Sequence, residues 1–262
     1  MLRPEPTRRQ RVAVVTGASR GIGFATADAL LAKGYRVACF SHNEDAIRHA
    51  SAELALRHDE TSLLCATVDL REPSEVRRFF ERVGETWSAP SVLVCNAGVS
   101  PKGPDGLRVA FADITAAEWH EALTVNLISA AQCCQYALPA MAREGFGRII
   151  LIGSVASRAL PFIAGAAYTT SKSGLGGVAR AIVSEYSPRG VTANIIAPGL
   201  ILTEMAGPPE SPKNRAALAR IPIRKFGRPE DIARVVVFLA ADDAYFINGA
   251  TIDVNGGEYL AP

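Results

Sequence analysis

The sequence predicts one doubly wound α/β domain, with a parallel seven-stranded sheet and helices on both of its faces. Short apolar runs, many of them β-branched, alternate along the chain with longer stretches of helical periodicity. Runs such as RIILIG and SVLVC are apolar throughout, as expected for parallel strands that are buried on both sides. The chain has 262 residues, 48% of them hydrophobic, which is enough to bury the core of such a domain.

The apolar runs place seven strands, and helices are expected between them. The strands are expected at 11–16, 35–40, 62–68, 91–95, 148–153, 191–197 and 250–254. Helical periodicity covers FATADALLAKG, SEVRRFFERVGETW, EWHEALTVNLISAAQCCQYALPAMA, SKSGLGGVARAIVSEYS and PEDIARVVVFLAAD. Gly34 is expected to stop the first helix, and either Asp113 or Thr115 to cap the helix that begins near Ala116.

The ends of the domain and one insertion interrupt this alternation. We expect residues 1–10 to form a flexible N-terminal tail, with an organelle signal as the alternative, and residues 11–262 to form the single domain. The stretch at about 199–224 contains AGPPESPKN, in which prolines break any helical pattern. Because the alternation resumes at Pro229, we interpret this stretch as an irregular lid over a binding site.

Composition narrows the class of protein. A net charge of +2 with scattered basic residues does not indicate nucleic acid as a partner. No apolar run reaches the roughly 18 residues that span a bilayer, and no secretory signal is evident, so we expect a cytoplasmic protein without membrane attachment. The five cysteines form no CxxC pair and no metal-ligand spacing, so no disulfide and no metal site are expected.

A glycine-rich turn follows the first strand in VAVVTGASRGIG. Gly17, Gly21 and Gly23 remove side chains where a backbone could approach a pyrophosphate, and the following helix offers unpaired N–H groups at its positive end. The spacing differs from the commoner G-x-G-x-x-G pattern. A plain tight turn between strand and helix is the alternative for these glycines taken alone.

Six motifs then occur in one order along the chain. They are TGASRGIG at 16–23, NAG at 96–98, Asn126 within TVNL, Ser154, the Tyr168 to Lys172 segment YTTSK, and the pair Pro198 and Gly199. From Arg11 to Gly257 the chain resembles the short-chain dehydrogenase/reductase family, and within it the 3-oxoacyl-acyl-carrier-protein reductases. The resemblance implies a Rossmann-type fold and an enzyme that transfers hydride between nicotinamide and a ketone or secondary alcohol.

Tyr168 and Lys172 are four residues apart, so on a helix they share one face. A phenol with a pKa of about 10 is a weak acid at neutral pH, and a nearby ammonium lowers that pKa. The resemblance makes Tyr168 the group that exchanges a proton with the substrate oxygen and Lys172 the ribose-binding cation. It assigns Ser154 to the same substrate oxygen, with Ser157 as the alternative, and Asn126 to a water linked to Lys172.

The resemblance also implies a set of cofactor contacts along the carboxyl edge of the sheet. Asp69 would lie near the adenine, the NAG segment at the adenosine ribose, and the segment after Pro198 at the nicotinamide carboxamide. The expected contacts are Gly17, Ser19, Arg20, Gly21, Ile22, Gly23, Ser41, His42, Asp69, Leu70, Asn96, Ala97, Gly98, Tyr168, Lys172, Pro198, Gly199, Ile201 and Thr203.

The second strand bears on the choice of nicotinamide cofactor. Ser41 aligns with the place where NAD-specific members carry an acidic residue, and it has no charge. His42 follows it, and Arg20 in the glycine turn offers a planar fork suited to a phosphate. We therefore expect NADP(H) over NAD(H), although Glu44 and Asp45 are close enough in sequence to weaken the inference.

The leading substrate is a ketone, and a 3-oxoacyl thioester is one candidate. An acyl carrier protein is then a candidate partner. Arg189 occupies a position at which 3-oxoacyl-acyl-carrier-protein reductases carry a basic residue that binds the carrier protein. Glu144 and Gly145 occupy the position of a second such basic residue, and this weakens the hypothesis of a carrier protein as partner. The alternatives are a dehydrogenase of a sugar, polyol or other secondary alcohol, and a non-catalytic nucleotide-binding sensor. The catalytic set Asn126, Ser154, Tyr168 and Lys172 is complete, which disfavours the sensor.

A homodimer or homotetramer is also expected. The long helices at about 116–143 and 166–187 carry apolar residues on more than one face, including Cys133, Cys134, Leu175 and Val178. In the resembling family these helices form a symmetric contact between subunits. Burial of the same residues against the sheet is the alternative.

Overall fold

The computed structural model describes residues 10–103 and 106–261, and residues 1–9 of the expected tail lie outside this range. Seven parallel strands form one sheet in the order β3-β2-β1-β4-β5-β6-β7, which confirms the predicted fold class. The strands are β1 Val12–Thr16, β2 Arg36–Ser41, β3 Leu63–Thr67, β4 Val92–Cys95, β5 Gly147–Ile152, β6 Val191–Pro198 and β7 Thr251–Val254.

Eight α-helices surround the sheet within the described residues. They are α1 Gly21–Ala32, α2 Glu44–Ala55, α3 Pro73–Thr86, α4 Ala116–Leu123, α5 Ser129–Glu144, α6 Ala166–Tyr186, α7 Pro212–Leu218 and α8 Pro229–Ala240. One buried cluster joins the sheet to α3, α5 and α6. A second joins the opposite face to α1, α2 and α8, so the core lies on both sides of the sheet. None of the described helices is long and apolar enough to cross a membrane.

A π-helical turn joins α4 to α5. Thr115 caps α4 through a reciprocal hydrogen-bonded pair with Glu118, which decides between the two predicted caps. The helix then widens at Thr124–Ile128 before α5 begins. Asn126 lies in this turn with 1% of its surface exposed. Wide turns of this kind often occur at functional sites, and here the turn directs an amide into the protein.

The stretch at 199–224 is more ordered than the sequence suggests. Ser211 accepts a hydrogen bond from the Asn214 backbone and caps α7, whose first residue is Pro212. The Asn214 amide donates to the carbonyls of Ala206 and Pro208, at 3.0 and 2.8 Å. The prediction of an irregular stretch is therefore wrong for α7, because a proline at the first helical position starts a helix instead of breaking it.

The apolar residues offered as evidence for a subunit interface lie inside the chain. Cys133, Cys134 and Leu175 are at most 1% exposed and belong to the core between the sheet, α5 and α6, and Val178 packs against it. Burial against the sheet explains these residues without a partner subunit.

The strand order places the expected site. The chain runs outward from β1 through β2 to β3, then returns to the other side of β1 at β4. In open parallel sheets, ligands bind beyond the carboxyl ends of the strands where the order reverses in this way. The turns that follow β1 and β4 meet at this point.

Candidate active site

The glycines of the first turn are required by close approaches. Gly17 has φ +66°, and a Cβ added there would lie 2.8 Å from the Ala97 Cα. A Cβ on Gly23 would lie 2.3 Å from the Gly17 carbonyl oxygen and 2.5 Å from the Asn96 side-chain nitrogen. Side chains at these positions would separate β1, α1 and the turn after β4, so the glycines keep the three segments in contact.

Two polar residues fix the shape of this turn. The hydroxyl of Thr16 accepts hydrogen bonds from the backbone N–H groups of Asn96 and Ala97, at 3.0 and 2.9 Å. The Asn96 amide donates to the carbonyls of Thr16 and Gly17, at 2.9 and 3.0 Å. Asn96 therefore holds the glycine turn in place, and Thr16 is a site residue that is not among those expected from the sequence. Its position at the end of β1, directly before Gly17, was the available signal.

The residues at this turn fit the pyrophosphate of a dinucleotide. Helix α1 begins at Gly21 directly above the turn, and its first N–H groups have no partner within the helix. Gly21 has φ +56°, and a Cβ added there would lie 3.1 Å from the Thr203 methyl group. The glycine turn and the start of α1 thus form a cradle for the pyrophosphate, which is open on the side of α1 and bounded by the lid at Thr203.

The groups expected at the adenosine lie together at the ends of β2 and β3. The Ser19 hydroxyl donates to that of Ser41 at 3.1 Å, which joins the glycine turn to β2. His42 is exposed and directly follows β2. Asp69 accepts hydrogen bonds from the Arg71 guanidinium, which lowers the pKa of the Asp69 carboxyl. The expected contact Leu70 is only 8% exposed.

Arg20 forms an ion pair with Glu204 of the lid. Both side chains are largely exposed, at 65% and 69%. Arg20 is expected from the sequence to bind a phosphate, and no local pattern indicates this partner 184 residues away. The pair joins the glycine turn to the lid across the mouth of the cradle.

Tyr168 and Ser154 approach each other at the carboxyl end of β5. Burial raises the pKa of the Tyr168 phenol above its usual value of 10.0, and a hydrogen bond with Ser154 lowers it in part. The Ser154 hydroxyl also accepts the backbone N–H of Ala156 at 3.1 Å. Ser157 instead donates its hydroxyl proton to the Ser154 carbonyl at 2.6 Å. Of the two serines, Ser154 is the one that reaches the phenol.

Lys172 lies one helical turn beyond Tyr168. Its ammonium donates to the carbonyl of Ile152 at 2.7 Å and lies 5.9 Å from the centre of the Tyr168 ring. Burial lowers the pKa of Lys172 to about 8. A Cβ on Gly98 would lie 3.3 Å from both this ammonium and the Asn126 carbonyl oxygen, so Gly98 leaves the space between them open.

Asn126 is fixed by three hydrogen bonds. Its oxygen accepts the Val99 N–H at 2.7 Å, and its nitrogen donates to the Val99 carbonyl and the Ser171 hydroxyl, both at 2.9 Å. Ser171 in turn donates to the carbonyl of Tyr168 at 2.7 Å. Ser171 is fully buried and was missed in the sequence because its place between Tyr168 and Lys172 gave no separate signal.

The segment after β6 starts the lid. Gly199 packs so closely on Asn255 that a Cβ added to it would lie 2.8 Å from the Asn255 Cα. Ile201 pairs with Gly227 and packs its side chain into the core, at 6% exposure, so its backbone is the part available to a ligand. Thr203 lies over Gly21, as described above. The predicted segment therefore borders the glycine turn.

A cavity on another part of the molecule is separate from the catalytic groups. It has a volume of about 580 Å³ and lies between the start of the lid, α8 and β7, lined by residues such as Ile221, Phe226 and Asn255. A narrow crevice beside Tyr168 is lined by Pro101, Val109 and Gly165, among others. Of these two spaces, the crevice is the one that Tyr168 lines.

Arg189 does not lie near this site within the chain. It lies two residues before β6, and Glu144 lies three residues before β5, so both are at the amino ends of the strands. Ser154 follows β5 at the carboxyl end, and a six-residue strand is about 20 Å long. Within a single chain, Arg189 therefore lies at the opposite end of the strands from Ser154.

Comparison with known proteins agrees with this geometry. A family model described as enoyl-(acyl carrier protein) reductase matches residues 17–258. The chain belongs to the short-chain dehydrogenase/reductase family. It is 33% identical over 250 residues to the 3-oxoacyl-acyl-carrier-protein reductase FabG of Escherichia coli, covering 95% of this chain and 98% of the relative. It is 35% identical over 255 residues to acetoacetyl-CoA reductase of Rhizobium meliloti, covering 96% and 99%.

Solved structures of the same fold include complexes with NADPH. A variant actinorhodin polyketide ketoreductase with NADPH has a TM-score of 0.87 at 29% identity, with 96% of this chain and 98% of that chain covered. A blue fluorescent protein from a metagenomic library, in complex with NADPH, has a TM-score of 0.86 at 30% identity, covering 95% and 98%. The short-chain dehydrogenase/reductase described here is an NAD(P)-dependent oxidoreductase.

Proposed function

We propose that this short-chain dehydrogenase/reductase reduces a ketone to a secondary alcohol with NADPH, and that a 3-oxoacyl thioester is its leading substrate. The observation that carries the proposal is the convergence of Tyr168, Ser154 and Lys172 beside the glycine turn. Relatives named as 3-oxoacyl-acyl-carrier-protein and acetoacetyl-CoA reductases support the thioester.

Each side chain has a distinct role in this proposal. Tyr168 donates its proton to the substrate oxygen, and the Ser154 hydroxyl holds the same oxygen by a hydrogen bond. Lys172 holds the nicotinamide ribose, and its charge favours renewed ionisation of the phenol. Asn126 positions a water that reconnects Lys172 to solvent. When bound, the nicotinamide supplies hydride to the substrate carbon.

The preference for NADP(H) rests on Ser19, Arg20, Ser41 and His42. None of these four is acidic, and Arg20 can move from Glu204 to a 2′-phosphate, because an exposed ion pair holds it weakly. Comparing kcat/KM for NADPH and NADH tests this directly. A tenfold preference for NADH would exclude it.

Substitution of Tyr168 by phenylalanine tests the catalytic assignment. Loss of the phenol proton is expected to reduce kcat by roughly 100-fold or more, while NADPH binding is retained. Tyr186→Phe is the matched control, because this tyrosine ends α6, 18 residues beyond Tyr168, and lies beside Arg189. Full turnover in the Tyr168→Phe variant would overturn the mechanism.

A substrate panel tests the thioester. Activity is compared on 3-oxoacyl thioesters of acyl carrier protein, coenzyme A and N-acetylcysteamine, and on sugars, polyols and simple secondary alcohols. Turnover of the thioesters is expected. Activity confined to sugars or polyols would support the alternative dehydrogenase, and cofactor binding without turnover of any substrate would support the sensor.

Assembly and location are further proposals. A homodimer or homotetramer would cover exposed aromatic side chains in α8 and in the turn after it, since Phe238, Tyr245 and Phe246 are 50%, 68% and 89% exposed. Light scattering at the mass of two or four 27.8 kDa chains is the expected result, and a monomer would exclude assembly. The expected cytoplasmic location is checked by cell fractionation.

A further inference from the structure

Two cysteine thiols face each other across neighbouring strands of the sheet. Cys39 in β2 and Cys65 in β3 are paired in register, and their sulfur atoms are 3.2 Å apart. Both are free thiols in the structure. The two residues are 26 positions apart in the chain, with α2 between them, so the register of the sheet brings them together and no local sequence pattern predicts the pair.

The backbone already has the spacing that a disulfide between these residues needs. Neighbouring strands lie roughly 4.7–4.9 Å apart, and disulfides join Cα atoms that are about 4.4–6.8 Å apart. From their separation of 3.2 Å, the sulfur atoms must approach each other by about 1 Å to form the bond. Rotation of the two side chains can supply this movement while the strands stay paired.

The two thiols differ in access and in ionisation. Cys39 is 0% exposed, whereas Cys65 is partly exposed on β3, the edge strand of the sheet. Hydrogen bonds with Cys39 and Ser51 lower the pKa of the Cys65 thiol, although burial opposes this change. The hydrogen bond with Cys65 and burial both raise the pKa of Cys39. Cys65 is therefore the thiol that ionises first and that a small oxidant reaches, and Cys39 lies beside it.

The other three cysteines do not combine contact with access. Cys95, Cys133 and Cys134 are at most 5% exposed and belong to the core on the opposite face of the sheet. A hydrogen bond with Cys95 and burial raise the pKa of Cys134. This second pair is therefore less reactive toward an oxidant from solvent than Cys39 and Cys65 are.

We propose that Cys39 and Cys65 form a reversible disulfide when the protein is exposed to a peroxide. The Cys65 thiolate attacks one oxygen of hydrogen peroxide, the O–O bond breaks, and the departing hydroxide takes up a proton to become water. The Cys39 sulfur then attacks the sulfur of the resulting Cys65 sulfenic acid. The S–S bond forms, and the sulfenic hydroxyl leaves as a second water with the proton of Cys39. Two electrons pass in total from the two thiols to the peroxide.

The bond would clamp the edge strand β3 to β2. It closes a loop that contains α2, and such a cross-link restricts the unfolded chain more than the folded one. The oxidised protein is therefore expected to have a higher thermal midpoint than the reduced protein. Neither the bond nor the clamp depends on the proposed function, because no substrate or cofactor takes part.

Mass spectrometry after brief treatment with hydrogen peroxide tests the pair. The native sequence is expected to lose about 2 Da, to yield a peptide pair linked through Cys39 and Cys65, and to regain its mass with dithiothreitol. A link between Cys95 and Cys134 in its place, or oxidation of Cys65 without a link, would overturn the proposal. A linked protein whose thermal midpoint is no higher would overturn the clamp.

Variants of each cysteine separate the two steps. In Cys39→Ala the sulfenic acid finds no second thiol, so Cys65 is expected to reach the sulfinic acid, a gain of about 32 Da that dithiothreitol does not reverse. Cys65→Ser removes the thiol that reacts first and is expected to show neither change in mass. Cys133→Ala is the matched control, because Cys133 is buried in α5 and outside the pair, and it is expected to lose about 2 Da as the native sequence does. A reversible loss of this size in Cys39→Ala or in Cys65→Ser would assign the chemistry to other cysteines. Thermal midpoints of the reduced variants check that each one folds.

Discussion

Gly23 offers the sharpest test of how the glycine turn is built. Replacing it with alanine adds a methyl group whose carbon would lie 2.3 Å from the Gly17 carbonyl oxygen and 2.5 Å from the Asn96 amide nitrogen. These two atoms are themselves hydrogen-bonded at 3.0 Å. The added carbon therefore cannot be accommodated without separating them.

The magnitude follows from three contributions. Overpacking at a tight site costs about 1–3 kcal/mol, and losing the Asn96 hydrogen bond costs about 1 kcal/mol more. Alanine regains about 1 kcal/mol through its higher helix propensity. The net loss in the free energy of unfolding for Gly23→Ala is therefore about 1–3 kcal/mol. Because the same shift moves the turn beneath the pyrophosphate, NADPH affinity is expected to fall by about tenfold or more.

Gly84→Ala is the control, since Gly84 lies in α3 and a Cβ added there meets nothing within 4 Å. This variant is expected to be stabilised by about 0.5 kcal/mol, with unchanged cofactor binding. Urea unfolding and titration of NADPH fluorescence measure both quantities. If Gly23→Ala matched Gly84→Ala in stability and in affinity, the close-packing explanation of the turn would be refuted.

Three further changes probe other parts of the molecule. The pKa of Lys172 is about 8 when folded against 10.5 in the unfolded chain, so the unfolded state binds more protons between these values. The free energy of unfolding of the native sequence, relative to Lys172→Met, is therefore expected to rise with pH across this window, by up to about 3 kcal/mol in urea titrations. Glu204→Gln frees Arg20 and is expected to tighten NADPH binding a few-fold in fluorescence titrations, with NADH unchanged. Arg148→Met removes a buried guanidinium that donates to four backbone carbonyls, so the thermal midpoint is expected to fall by several degrees, equivalent to roughly 2–4 kcal/mol, with little effect on KM.

The strands were the most predictable part of the fold. Each predicted boundary lies within one residue of the observed one, for example 11–16 against Val12–Thr16. Parallel strands buried on both faces leave a continuous apolar signal in the sequence, and short turns bound it. The same logic located Ser154, which directly follows the buried strand β5 and its last glycine.

The lid was less predictable, because long-range contacts decide its structure. The ion pair between Arg20 and Glu204 joins residues 184 positions apart, and no local sequence pattern predicts it. Helix α7 depends on a serine cap and on a proline placed where the helix tolerates it. The resemblance likewise aligns Arg189 along the chain but does not tell at which end of the strands it lies.

The ionisation of Tyr168 illustrates why charge alone was an incomplete guide. The sequence places an ammonium one helical turn from the phenol, and this argues for a lowered phenol pKa. In the folded chain burial acts on both groups, raising the pKa of Tyr168 and lowering that of Lys172. Burial thus favours the protonated phenol at neutral pH, which is the form that donates a proton to a carbonyl oxygen. The pKa of the phenol in the folded chain is thus set by burial and by the Ser154 hydrogen bond together, which residue spacing alone does not give.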